Sequence, residues 1–240
     1  MISRRKLAIG GVGGILLGLT GVALTRSEAS IRFIGRRQTI IALLDTSSER
    51  VLIVLGDQDD ELLSNVPGLK TVGNTRIDLV VANHRILATR AAREYLQIDT
   101  ITALSVQASS SLPPIRGNVN QITESTVLDL GGKSTMKIDV TGLEADHPDF
   151  LVTINCHGTR LILSSSNAAL RAISDRSPDL LAVPGPAEAN THAHLSPHVL
   201  VCNTPDDSLE TRQMQVFATD PAIVRIGDGS ISVRDDQLSS

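Results

Sequence analysis

From residue 31 onwards the chain is a succession of short apolar runs separated by turn-forming residues. The first three runs are IRFI, TIIALLD and RVLIVLG, set apart by Gly35-Arg36-Arg37 and by Ser47-Ser48-Glu49. Each is rich in β-branched side chains and bounded by breakers, which predicts three strands within residues 31–56. Asp59 to Val66 has the spacing of a short helix stopped by Pro67-Gly68. Ile77 to Val81 (IDLVV) is the nearly continuous apolar run of a strand buried on both faces. Residues 86–96, ILATRAAREYL, have helical spacing, ITALSV reads as another strand, and Ser109 to Pro114 as a loop.

The second half follows the same scheme without a repeated sequence. TVLDL and MKIDV flank Gly131-Gly132, and FLVTIN and RLILS flank His157-Gly158, which predicts two hairpins. A helix is expected from Asn167 to Ile173, strands at DLLAVP and HVLVCN with a polar loop after each, and a closing pair, AIVRIG and ISVR, around Asp228-Gly229. Strands with interspersed helices in both halves predict an α/β fold of paired sheets covered by helices, a four-layer αββα sandwich.

Before residue 30 the pattern changes. Ser3-Arg4-Arg5-Lys6-Leu7 opens an uncharged, Gly-rich apolar stretch from Leu7 to Leu24, and Ser27-Glu28-Ala29 closes it with small residues at the first and third positions of an A-x-A-like site. The pair Arg4-Arg5 ahead of a weakly hydrophobic segment is the pattern of leaders that export folded proteins, although the Phe and later Lys favoured there are missing. Residues 1–29 are therefore expected to be a twin-arginine-like signal peptide or anchor, and residues 31–240 a single domain. An ordinary secretory signal and an uncleaved anchor stay open, since the 18 residues from Leu7 to Leu24 just suffice to span a bilayer. The basic end stays cytoplasmic in each case, so the domain is expected outside: periplasmic, at the cell surface or secreted.

Charge and aromatic content narrow the partners. The chain holds 22 basic and 26 acidic residues; Arg4, Arg5, Lys6 and Arg26 against Glu28 fall in the leader, leaving 18 against 25, a charge of −7. With no Trp, one Tyr and three Phe, the chain lacks both the basic surface and the stacking platforms that nucleic-acid binding uses. Cys156 and Cys202 each sit in an apolar run and read as small buried hydrophobes, with a single bridge left open in an oxidising compartment.

Six stretches follow one another in a telling order: IRFIGRRQTIIALLDTSSERVLIVLG, RIDLVVANH, TVLDLGGKSTMKIDV, DFLVTINCHGTRLILSSS, PDLLAVPGPA and ATDPAIVRIGDGSISVR. Together, over residues 31 to about 235, they resemble the metallo-β-lactamase fold and, within it, the soluble domain of ComEC-type DNA-uptake proteins. The family holds two metals, usually zinc, through H-x-H-x-D-H after the buried strand, a later His, a bridging Asp and a further His, converging between the two sheets. Here the first motif reads His84-Arg85-Ile86-Leu87-Ala88-Thr89, so His84 matches while Ile86, Ala88 and Thr89 stand where other ligands belong. Ser166 takes the place of the bridging Asp, Gly185 and Pro186 that of the paired histidines in P-H-H-G, and Val54 that of the Asp in V-L-I-D-x-G. Zinc needs imidazole, thiolate or carboxylate ligands, and a single matching ligand cannot assemble a dinuclear centre that activates water. The resemblance thus implies a vestigial cleft of Val54, His84, Ile86, Ala88, Thr89, Ser166, Gly185 and Pro186, with no catalytic residue and no cofactor. Val54 and Ile86 are expected to be buried, and His84 to bond to backbone or a hydroxyl.

Other chemistry is sparse. His192, His194 and His198 have the one remaining metal-like spacing, against the plainer reading of a polar loop interrupted by Pro197. The serine triplets at 109–111 and 164–166 lie outside any G-x-S-x-G elbow. His147 and His157 have no evident partners, and the acidic cluster Asp57, Asp59, Asp60, Glu61 lacks the glycine and spacing of a calcium loop. The function expected is that of an exported, non-catalytic binding or assembly module for a protein or small-molecule ligand, touching the membrane only through a retained leader. The alternative is a metal-dependent hydrolase of phosphodiesterase or nuclease type that uses the relocated histidines.

Overall fold

The computed structural model describes residues 29–33, 39–56, 77–83, 122, 124–142, 148–171, 173, 177–184, 195, 197–202, 214–217 and 222–235. The first sheet consists of β1 (Ala29–Phe33), β2 (Thr39–Asp45), β3 (Arg50–Gly56), β4 (Leu79–Ala82), β12 (Ala222–Gly227) and β13 (Ser230–Asp235), in the order β13-β12-β1-β2-β3-β4. The second consists of β5 (Thr126–Asp129), β6 (Ser134–Thr141), β7 (Asp149–Cys156), β8 (Thr159–Ser164), β9 (Leu180–Ala182), β10 (Val199–Cys202) and β11 (Met214–Phe217), in the order β11-β10-β9-β8-β7-β6-β5. The β3–β4 pair and the run β8-β9-β10-β11 are parallel, and the other pairs are antiparallel.

The two sheets pack on a shared core. Phe33, Ile40, Leu44 and Ile53 from the first sheet meet Met136, Phe150, Ile154 and Leu163 from the second. Each such side chain contributes about 1.5–3 kcal/mol on leaving water. The unbroken apolar runs of β2 and β3 are explained by burial on both faces. In β6 the alternation of buried Ser134, Met136 and Ile138 with exposed Thr135 and Lys137 marks one dry face and one wet face. A second cluster, with Leu151, Ile162, Leu170, Ile173, Leu181 and Leu200, covers part of the outer face of the second sheet. Leu170 belongs to α1 (Asn167–Leu170), a single turn packed on that side; of the expected four-layer αββα sandwich the described residues thus show the two sheets, but not full helical layers. The expected helices at 59–66 and 86–96 and the expected strand 101–106 lie outside the described residues.

Several elements differ from expectation. β1 starts at Ala29, two residues before the predicted strand, because Ala29 is fully buried and pairs with Ile226. α1 ends at Leu170, short of Ile173. A parallel edge strand, β11, occupies part of the stretch read as loop. Neither Cys156 nor Cys202 is in a disulfide, and both are buried. They lie in clusters on opposite faces of the second sheet, and β8 and β9 separate their strands. Three strand spacings of about 4.8 Å put them far beyond the reach of a disulfide.

The sheets also carry a repeated device that the sequence conceals. In the first, Asp78 Oδ2 accepts from the Arg50 N–H at 2.9 Å while the Asp78 N–H donates to the Arg50 carbonyl at 3.0 Å. In the second, Asp179 Oδ2 accepts from the Arg160 N–H at 2.8 Å while the Asp179 N–H donates to the Arg160 carbonyl at 2.8 Å. Each aspartate thereby ties the start of the strand that leaves a hairpin (β3 or β8) to the start of the parallel strand beside it (β4 or β9), and so sets that pair's register.

Hairpin turns gather at one end of the sandwich. The β2–β3 turn meets the β5–β6 turn: Thr46 Oγ1 donates to the Leu130 carbonyl at 3.4 Å, and a Cβ on Gly131 would come within 2.6 Å of Ser48 Oγ. At φ +80°, Gly131 is also in the left-handed region, so glycine is required twice over. The β7–β8 turn meets the β12–β13 turn through the Gly229 N–H, which donates to the His157 carbonyl at 2.8 Å. β1 begins between them, with Ala29 opposite Ile226 and Ser30 opposite Asp45. We call this the turn end. The carboxyl ends of β3, β4, β8, β9 and β10 lie at the other.

Candidate functional site

In open α/β sheets ligands bind outside the carboxyl ends of parallel strands. Two of the positions that the resemblance matches to ligands, Val54 and Ser166, are among the described residues, and both lie at or near those ends. Val54, in β3, is fully buried. Its neighbours Val51, Ile53 and Leu55 belong to the core between the sheets, so alternation along the strand turns Val54 to the outer face. Ile41 and Ala82, its register partners in β2 and β4, are fully buried on that face too. Burial of Val54 agrees with expectation; its direction, away from the inter-sheet core, does not follow from the resemblance.

Asn83 follows β4 directly and is buried. Its Oδ1 accepts from the Gly56 N–H at 3.1 Å and its Nδ2 donates to the Gly56 carbonyl at 3.2 Å. Its own N–H donates to the Val54 carbonyl at 3.3 Å. Gly56 has φ 135°, open to glycine alone in practice, and while it stays in register with Thr39 of β2, its peptide groups on the other side extend past the end of β4 at Ala82. Asn83 thus substitutes for a missing strand neighbour, and its polar atoms are committed to the backbone.

The Ser164-Ser165-Ser166 triplet behaves likewise. Ser164 Oγ donates to the Ser166 carbonyl at 2.6 Å. Ser165 Oγ donates to Asp149 Oδ1 at 3.1 Å and accepts from the Phe150 N–H at 2.8 Å, tying the end of β8 to the start of β7. Ser166, with extended backbone, caps α1: its Oγ accepts from the Ala169 N–H at 3.2 Å. The hydroxyl at the bridging-Asp position therefore satisfies a helix terminus.

Among the described residues the donor chemistry does not fit a metal. Val54 offers no lone pair, Asn83 and Ser166 hold backbone groups, and no three His, Cys, Asp or Glu side chains among the described residues converge. His84, Ile86, Ala88, Thr89, Gly185 and Pro186 lie outside the described residues, as do Arg4, Arg5, His147, His192 and His194. His198 is described: it precedes β10, is 76% exposed, and holds Nδ1 3.4 Å from Asp179 Oδ1. That contact is at the amino ends of β9 and β10, away from the carboxyl-end site. His157 has a partner the sequence did not reveal, Asp228, with Nδ1 3.8 Å from Oδ1 across the docked turns. Cys156 lies against Ser134 Oγ at 3.0 Å. Burial raises the pKa of its thiol, and the Ser134 hydrogen bond offsets part of that rise, so this cysteine is a packed thiol rather than a nucleophile.

No family model matches the sequence, and no curated protein matches it. Solved structures do match in fold. YhfI from Bacillus subtilis, a metallo-β-lactamase fold protein, superposes with a TM-score of 0.56 at 11% identity, over 83% of this chain and 100% of that one. A protein from Parabacteroides distasonis described as a metal-dependent hydrolase superposes with a TM-score of 0.50 at 10% identity, over 78% of this chain and 98% of that one. Likeness at such identity concerns architecture, and the architecture is common to all three: the chain has the metallo-β-lactamase fold.

Proposed function

We propose that this chain is an exported, non-catalytic descendant of the metallo-β-lactamase fold, related to ComEC-type soluble domains, and that it serves as a binding or assembly module. One observation carries the reading. At the carboxyl ends of the strands, Asn83, Ser165 and Ser166 are spent on backbone groups, of Gly56, Phe150 and α1 respectively, and Ser165 also holds the Asp149 carboxylate. A hydrolytic centre needs the reverse, lone pairs held free and aimed at one point. The fold alone does not supply activity. What remains is a rigid scaffold whose site end can receive a protein or small-molecule partner, while the charge of −7 beyond the leader argues against nucleic acid. Export is supported by Arg4-Arg5 and the uncharged Gly-rich stretch that follows.

The test is elemental analysis of the purified protein together with hydrolysis of bis(p-nitrophenyl) phosphate across added Zn²⁺ and Mn²⁺. No stoichiometric metal and no turnover above buffer are expected. Stoichiometric zinc together with turnover, both abolished by His194→Ala, would establish the hydrolase alternative instead.

A further inference from the structure

Ala29 has two incompatible descriptions. It is the last residue of the cleavage-like motif Ser27-Glu28-Ala29, and it is the first residue of β1. A peptidase reading that motif would cut between Ala29 and Ser30. That bond lies in an interior strand. Ala29 pairs with Ile226, and Ser30 is flanked on both sides, by Arg225 of β12 and Asp45 of β2. The Ala29 side chain is fully buried in the core between the sheets, on the same face as Ile31 and Phe33.

Extended-peptide recognition requires at least one free backbone edge. Both are occupied at Ser30, and at Ala29 the β12 edge is, so exposing the bond means drawing the start of β1 out from between β12 and β2. That also draws Ile31 and Phe33 from the core, an opening close to global unfolding. A leader of the twin-arginine type delivers its domain folded, so the bond would meet the peptidase already sealed.

We propose that residues 1–28 stay attached and tether the domain to the outer face of the cytoplasmic membrane, turn end towards the lipid and carboxyl ends away from it. The proposal rests on the export reading above. Leu7 to Leu24 as a helix is about 27 Å long, close to the hydrocarbon thickness. Four residues, Thr25 to Glu28, separate it from β1 and span at most about 14 Å, which keeps the turn end near the headgroups. The exposed residues there are mostly small and polar, Ser47, Ser48, Gly132, Gly158, Gly229 and Ser230, with the charged Asp129, Lys133 and Asp228 among them, a surface that can lie against hydrated headgroups.

The experiment uses the full chain in a bacterium with an active twin-arginine pathway, fractionated into cytoplasm, membrane and periplasm and read by intact mass. A second form duplicates Ser27-Glu28-Ala29 ahead of an inserted eight-residue Gly/Ser spacer, so that one copy of the motif stands clear of β1. The unaltered protein should keep its full-length mass in the membrane fraction, accessible to protease added to spheroplasts. The spacer form should be cut at the freed copy and become soluble. A soluble, exported wild type with any new N-terminus would overturn the tether while leaving export intact. A spacer form that stays full-length would show that burial of Ala29 is not what retains the leader, overturning the proposal. Full-length protein confined to the cytoplasm would sink the export reading, and the tether with it.

Discussion

Val54→Asp introduces the carboxylate that the sequence resemblance implies at this position, and the structure assigns it a cost. The Val54 side chain is 0% exposed, and its register partners Ile41 and Ala82 are equally buried. Losing the apolar contacts and burying a polar group costs about 3 kcal/mol, a part that Val54→Asn shares. The acid carries a second cost: to remain neutral at pH 7 its pKa must rise from about 3.9 to above 7, worth about 4 kcal/mol. The total of about 7 kcal/mol rivals the entire stability of an ordinary domain. The sign follows from proton counting. Between the unfolded and folded pKa values the folded state binds more protons, so stability is retained below about pH 4 and falls with rising pH.

Urea denaturation of both variants at pH 4 and pH 7 separates the two contributions, because only the acid titrates. The Asp and Asn forms should match at pH 4, and the Asp form should be about 4 kcal/mol weaker, or already unfolded, at pH 7. Equal stability of the two at both pH values would mean a hydrated carboxylate. The outer face of β3 would then be open to water, and the reasoning from burial would fail.

Other expectations concern the backbone clamps. Asn83→Ala strands a buried N–H and C=O of Gly56 and should cost about 2–4 kcal/mol by chemical denaturation; a loss under 1 kcal/mol would show that water replaces the amide. Asp78→Ala and Asp179→Ala should each cost about 1–2 kcal/mol, with Asn at either position largely rescuing, because its oxygen still accepts from Arg50 or Arg160. The two sites lie in different sheets, so the double Ala variant should show the sum to within about 0.5 kcal/mol.

What the sequence revealed, and what it hid, divides along the range of the interaction. The hairpins at Gly131-Gly132, His157-Gly158 and Asp228-Gly229 were legible because an apolar run, a turn signal and a second apolar run are local patterns. β2 and β3 were legible for the same reason, their covered positions being apolar apart from Thr39 and Gly56 at the far ends. β11 was not: Met214 to Phe217 is four residues long, too short for period two to show. The aspartate clamps join residues 28 apart in one sheet and 19 apart in the other, so no fixed-period comparison would align them. Asn83 stood in plain view beside His84, but its partner Gly56 lies 27 residues upstream, and only the parallel register brings them together. Ser166 at the bridging-Asp position was recognised by resemblance, whereas its helix-capping role needed the coordinates.

Ser166 also tests the proposed loss of a metal site. If lost carboxylates were replaced merely to relieve mutual repulsion, restoring either Val54 or Ser166 to Asp would carry a similar penalty. The two environments argue otherwise. Val54 is sealed within a sheet face, whereas Ser166 is partly exposed at the first turn of α1, where its Oγ accepts from the Ala169 N–H. Asp caps helices as well as Ser does, and the partial positive charge of a helix N-terminus favours a carboxylate, though four residues make that effect small. Ser166→Asp should therefore change stability by less than about 0.5 kcal/mol at pH 7, while Ser166→Ala, which removes the cap, should cost about 1 kcal/mol. Sequence drift would then have met a barrier at position 54 and almost none at 166. If Ser166→Asp instead destabilises by 2 kcal/mol or more in thermal melts, an uncompensated negative field persists at the carboxyl ends of the strands, and the serine was kept to avoid it.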